Sequence, residues 1–109
     1  VIHLEALKLA RAGERVLVVV GTRQRARDLF LSAVDVVGRE GVVAQRAAGA
    51  ETIELVPGGS LRFTEGDGAR GAVADVVVTD VHTLTDPDTV RAITPVVATT
   101  GGRIVAFGR

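Results

Sequence analysis

Asp80 is the residue of this chain best placed to do chemistry. It closes the run Asp75-Val76-Val77-Val78-Thr79-Asp80. An unbroken stretch of small or β-branched apolar residues is how a buried parallel strand reads. Open α/β sheets carry their ligands outside the carboxyl ends of such strands. A carboxylate there can orient a magnesium-bound water and nucleotide phosphates, or else cap the turn that follows as an ordinary turn aspartate. Val81 comes next and has no acceptor with which to polarise a water. His82 reads either as a phosphate-sensing or proton-shuttling imidazole or as a structural hydrogen-bonder. Arg70, in the glycine-rich stretch before the run, either touches a nucleotide or the DNA of a neighbour or is a solvated loop arginine. Glu65 and Asp67 are further carboxylates, which nothing in the sequence aims at Asp80.

The elements that position these residues are legible from the spacing. Ile2, Leu4, Ala6, Leu7, Leu9 and Ala10 predict a helix with a broad buried face, ended by Gly13. Val16-Leu17-Val18-Val19-Val20, bounded by Gly21, predicts a short buried strand. Thr22 caps the next helix, in which Ala26, Leu29, Phe30, Ala33, Val34 and Val37 form the inward stripe and Gly38 the stop. Residues 39–50 carry mixed signals, with Val42-Val43-Ala44 a possible brief strand. Thr52–Val56 and Leu61–Thr64 alternate around Pro57-Gly58-Gly59-Ser60, which predicts a polar-faced hairpin inserted before the Asp80 strand. Residues 65–71 read as a flexible loop. Thr85 or Asp86 caps a further helix with Pro87 in its first turn, which Pro95 interrupts or ends. Ile104-Val105-Ala106-Phe107 predicts a last buried strand. The fold class is α/β, a parallel sheet flanked by helices with an inserted β-hairpin.

Composition narrows the function classes. With 109 residues the chain holds one domain, 1–109. Thirteen basic residues balance thirteen acidic ones, which gives no whole-chain footprint for nucleic acid or anionic membrane. The absence of Cys excludes disulfides and cysteine-ligated metals, and two histidines make a poor basis for a zinc site. No apolar run approaches the ~20 residues of a membrane span, and nothing at the start resembles a signal peptide. The expectation is a soluble, cytoplasmic protein. The chain opens without Met on residues that read as mid-helix, so it is expected to be a piece of something longer, truncated at both ends.

Gly58-Gly59-Ser60 superficially suggests a phosphate cradle. It precedes a strand rather than a helix and lacks a lysine, so hairpin geometry explains it better. Arg23, Arg25 and Arg27, with Arg11 and Arg15 nearby in sequence, form a local basic cluster that helical spacing spreads over a solvated helix face.

The order of these pieces resembles the ATPase domain of the large terminase subunit, the motor that packages DNA into tailed-phage heads. The residues carrying the resemblance are Leu55-Val56-Pro57-Gly58-Gly59-Ser60-Leu61-Arg62-Phe63, then Arg70-Gly71, then Asp75 through Asp80, with Gly21-Thr22-Arg23 after an earlier strand. The resemblance implies a RecA-like P-loop core. In it, Asp80 ends the second nucleotide motif (Walker B) and holds the magnesium of ATP. Thr22, Arg23, Gln24 and Arg70 lie toward the nucleotide, and residues 2–12 form the helix after the phosphate loop. It also implies double-stranded DNA, the phage portal and the small terminase subunit as partners, in a bacterial host or prophage. Contact between the arginine cluster and DNA phosphates is implied by the resemblance alone. Two departures stand out. The chain contains no G-x-x-x-x-G-K-[ST], and Val81 occupies the place of the glutamate that follows the aspartate. The expected function is therefore a terminase-like ATPase fragment inactive alone. The alternative is a non-catalytic α/β binding module or degenerate prophage remnant. A flavodoxin-like or Rossmann-type binder is a weaker third, since no strand is followed by G-x-G-x-x-G.

Overall fold

A computed structural model describes residues 2–38, 41–45, 51–55, 58–69, 72, 74–98 and 100–107. In chain order the elements are α1 (Ile2–Arg11), β1 (Arg15–Val20), α2 (Arg23–Val37), β2 (Gly41–Gln45), β3 (Glu51–Leu55), β4 (Ser60–Glu65), β5 (Val76–Asp80), α3 (Pro87–Ala98) and β6 (Arg103–Phe107). Short 3-10 turns occupy Gly66–Ala69 and Thr83–Thr85.

The strands form a six-stranded sheet in the order β2-β3-β4-β1-β5-β6. β4, β1, β5 and β6 run parallel, while β3 runs antiparallel to both β2 and β4. As the apolar runs predict, β1 and β5 lie inside the sheet, with Val16–Val20 and Val76–Val78 buried on both faces. β5 sits between β1 and β6, parallel to each. The brief strand at 42–44 is present as the core of β2, paired to β3.

Sheet periodicity divides the core in two. Val16, Val18, Val20, Leu61, Phe63, Val76 and Val78 face α1 and α2, whereas Leu17, Val19 and Val77 face α3. Phe30 of α2 meets Phe63 edge to face, ring centroids 6.0 Å apart at 70°, a favoured geometry for aromatic pairs. With so few aromatic residues, this contact anchors the larger core.

Five expectations are corrected. The inserted hairpin is present but is not polar-faced: its second strand, β4, also pairs in parallel with β1 and buries Leu61, Phe63 and Thr64. Alternation reveals a strand but not which neighbour it will take, and here both faces of β4 are covered. β6 is not buried. It forms the sheet edge, and Ile104 is 38% exposed. Residues 66–69 are ordered as a 3-10 turn with Ala69 fully buried, so the glycines there do not make a loose loop. Helix α3 continues through Pro95 to Ala98. Proline costs the helix the hydrogen bond to the carbonyl four residues back, and so close to the C-terminus one lost bond does not end it. Finally, in α1, Leu4 is exposed, so its buried stripe narrows to Ile2, Ala6, Leu7 and Ala10.

The β3–β4 connection is held close to the end of α1. Leu55 N–H donates to the Gly59 carbonyl at 3.0 Å, and Ser60 N–H to the Glu14 carbonyl at 3.1 Å. Gly59 has φ +88°, and a Cβ there would stand 1.9 Å from the Ala10 carbonyl oxygen. Only glycine meets both demands. This packing role, not a phosphate, accounts for the Gly-Gly-Ser tip.

Candidate functional site

Parallel pairing brings four carboxyl ends to one rim of the sheet. The register sets Val20 of β1 beside Glu65 of β4, and Asp80 of β5 beside Phe107 of β6. The rim therefore carries two carboxylates, Glu65 and Asp80, on the two strands that flank β1.

Asp80 is well anchored. Its Oδ1 accepts the Thr83 N–H at 2.6 Å, a short bond of the kind an ionised acceptor makes. Its Oδ2 faces the Arg25 guanidinium, with Nε at 3.9 Å. The side chain is only 13% exposed. The capping role weighed from sequence is thus real, since Asp80 closes the 82–85 turn, and it leaves one oxygen uncommitted to any hydrogen bond among the described residues. Val81 points outward, 49% exposed, and its N–H donates to the Phe107 carbonyl at 2.9 Å, which ties the end of β5 to β6.

Thr22 caps α2 as predicted: its Oγ1 accepts the Arg25 N–H at 3.1 Å. Arg23 reaches Glu65, Nη2 to Oε1 at 3.2 Å. Gln24 donates to Asp28 Oδ1 at 2.9 Å along the helix surface. Thr22 and Arg23 therefore stand at the rim beside Asp80 and Glu65, whereas the Gln24 amide is engaged one turn along its own helix. His82 lies in the exposed turn after β5, where its carbonyl accepts both the N–H and the hydroxyl of Thr85. Arg70 lies outside the described residues.

The sequence signalled Arg25 only as one of three surface arginines. The structure gives each an internal partner: Arg23 with Glu65, Arg25 with Asp80, and Arg27 with Glu51 at 3.9 Å. Glu51 is only 3% exposed. The cluster is charge-compensated within the chain and is not a bare basic face. One clue to this was available. The first turn of a helix repels cations by about 0.3–1 kcal/mol each, and α2 begins with Arg23 and Arg25 and has no acidic residue in its first turn. Arginines set against a helix dipole need carboxylates from elsewhere, and the strand ends supply them.

Among the described residues, no group of three or more His, Cys, Asp or Glu side chains could hold a metal by itself, and no helix is long and apolar enough to cross a membrane.

A mostly parallel sheet with helices on both faces defines an α/β fold. No protein-family model matches the chain, and no curated protein is significantly similar to it. Solved structures are. The large terminase ATPase domain of Thermus phage P74-26 superposes with a TM-score of 0.68 at 19% identity, over 95% of this chain and 51% of that one. The large terminase of a thermophilic bacteriophage superposes with a TM-score of 0.67 at 17% identity, over 95% of this chain and 29% of that one. An ADP complex of the latter protein matches 86% of this chain with a TM-score of 0.59. The chain thus has the fold of a large terminase ATPase domain and spans about half of such a domain.

Proposed function

We propose that this chain is part of the ATPase core of a terminase-like DNA-packaging motor, with Asp80 as its magnesium carboxylate and without hydrolytic activity of its own. The observation that carries the reading is the placement of Asp80. It ends an interior parallel strand of a terminase-type sheet, one oxygen fixed by Thr83 and the other turned toward a cation. Magnesium at nucleotide sites is usually held by one or two carboxylates, with phosphates and water completing its shell. A single anchored carboxylate whose second oxygen makes no hydrogen bond among the described residues fits that requirement. Bound there, the ion would neutralise charge on the phosphates of ATP. Thr22, Arg23 and Gln24 at the start of α2, together with Arg70, would face the nucleotide. Double-stranded DNA, the portal and the small terminase subunit are the partners this reading entails.

Val81 supports the inactive half of the proposal, because its side chain offers no acceptor for an attacking water. The test is direct. The purified 109-residue chain should show no magnesium-dependent ATP turnover above background. Turnover that disappears in Asp80→Ala would overturn the claim of inactivity while supporting the metal site. A chain that neither binds nor hydrolyses nucleotide after a phosphate loop is fused ahead of residue 1 would favour the non-catalytic module.

A further inference from the structure

The pairing of Arg25 with Asp80 has a geometry suited to exchange. Oδ1 of Asp80 is committed to a 2.6 Å hydrogen bond from the Thr83 amide, while Oδ2 meets Arg25 Nε at 3.9 Å, too far for a hydrogen bond. The carboxylate is largely buried, whereas the arginine is 49% exposed and can swing away without disturbing the core. Its backbone, by contrast, is fixed: the Arg25 N–H is the donor that Thr22 caps. The Arg23–Glu65 pair lies beside it at the same rim. Two guanidinium groups thus balance two carboxylates. A divalent cation arriving alone would meet a site already neutralised by arginine. A cation arriving with an oligophosphate would bring the negative charge that the displaced arginine could then face.

Resting on the metal reading of Asp80 above, we propose that Arg25 is a positioning residue that occupies Asp80 in place of a cation. It yields the carboxylate to a metal–phosphate ligand and turns its guanidinium to the phosphate. The device makes bare metal a poor ligand and couples metal binding to phosphate binding.

The experiment titrates the 109-residue chain with Mn2+, alone and with inorganic tripolyphosphate. It follows paramagnetic broadening of the Thr83 amide, which is bonded to Asp80. In Arg25→Gln, the midpoint for Mn2+ alone should fall several-fold, meaning tighter binding, and the midpoint for Mn2+ with tripolyphosphate should rise several-fold. These opposite signs are what a merely structural contact would not give. Arg25→Lys should restore the wild-type order, and Asp80→Asn should abolish the broadening in both titrations. The amide spectrum itself reports whether each variant is folded. Arg25→Gln with an unchanged or raised midpoint for Mn2+ alone, while Asp80→Asn still abolishes broadening, overturns the exchange and leaves Asp80 as the metal carboxylate. Tighter Mn2+ binding without weaker tripolyphosphate binding overturns the transfer of Arg25 to phosphate. Broadening that survives Asp80→Asn overturns the metal reading, and the exchange falls with it.

Discussion

At the residue scale, the proposed chemistry turns on two adjacent side chains at the end of β5. Val81 is half exposed and its backbone N–H bonds to the Phe107 carbonyl, so there is room at the surface for a longer, charged side chain. In a fusion carrying G-x-x-x-x-G-K-[ST] ahead of residue 1, Val81→Glu should raise steady-state ATP turnover by about 10²–10⁴-fold, the usual contribution of a positioned general base. Adding Asp80→Ala should remove the gain. Equal rates for the Val81 and Val81→Glu fusions, with binding intact, would show that position 81 does not face the attacking water. Asp80 was legible in the sequence because one carboxylate ends an otherwise apolar run. Its ion-pair partner was not. Arg25 lies 55 residues away along the chain, and helical spacing says only which way an arginine points, not which strand end lies opposite.

At the scale of elements, the hairpin shows the same division. Alternation at 52–56 and 61–64, with glycines between, was enough to place two antiparallel strands, and β3 and β4 pair as it requires. That β4 would join β1 was not in the pattern. It follows from the close approach of Gly59 to the end of α1, a contact between residues far apart in sequence. Gly59→Ala should therefore be costly. Holding a residue other than glycine at positive φ costs on the order of 1–3 kcal/mol, and the Ala10 carbonyl blocks the new methyl besides. Thermal unfolding should show a fall of at least ~5 °C in Tm. Gly58→Ala is the control, since a Cβ there meets open space, and its Tm should stay close to the parent value. A matching loss in both variants would mean that the turn itself, not its contact with α1, is what matters.

At the scale of the whole molecule, the two rims of the sheet differ in how their charges are held. The amino rim is fixed by paired forks. Arg15 grips Asp75 through its side chain and its backbone N–H, and Arg103 meets Glu14 with two bonds at 3.0 and 3.1 Å. The Arg15 side-chain hydrogen bonds, followed by that of its backbone amide, hold the Asp75 carboxyl below its ordinary value of 3.8. A carboxyl depressed in the folded state stabilises the fold above its unfolded pKa, and that contribution disappears as pH falls through the folded value. Below about pH 4, urea midpoints of the parent should decline more steeply than those of Asp75→Asn. Parallel curves would show that the fork contributes nothing to acid stability. The return from α3 into β6 reinforces the same rim: Gly102 passes so close to Asp75 that a Cβ would stand 2.0 Å from its carbonyl oxygen.

The open edge at β6 has a consequence for how the molecule behaves in concentrated solution. Arg103 N–H donates to Asp75, and the Phe107 carbonyl accepts from Val81. In a parallel ladder, residues 103, 105 and 107 therefore spend their backbone groups on β5, and those of Ile104 and Ala106 point away from the sheet. A row of outward amides and carbonyls beside an exposed isoleucine is a template on which another extended strand can grow. The 109-residue chain taken by itself should thus be colloidally unstable at high concentration, independently of its folding stability. Proline is tolerated on an edge strand where its missing N–H faces outward, so Ala106→Pro should blunt the template while sparing the ladder to β5. Light scattering against protein concentration should show self-association in the parent and markedly less in Ala106→Pro at unchanged Tm. Identical scattering curves would place the sticky surface elsewhere.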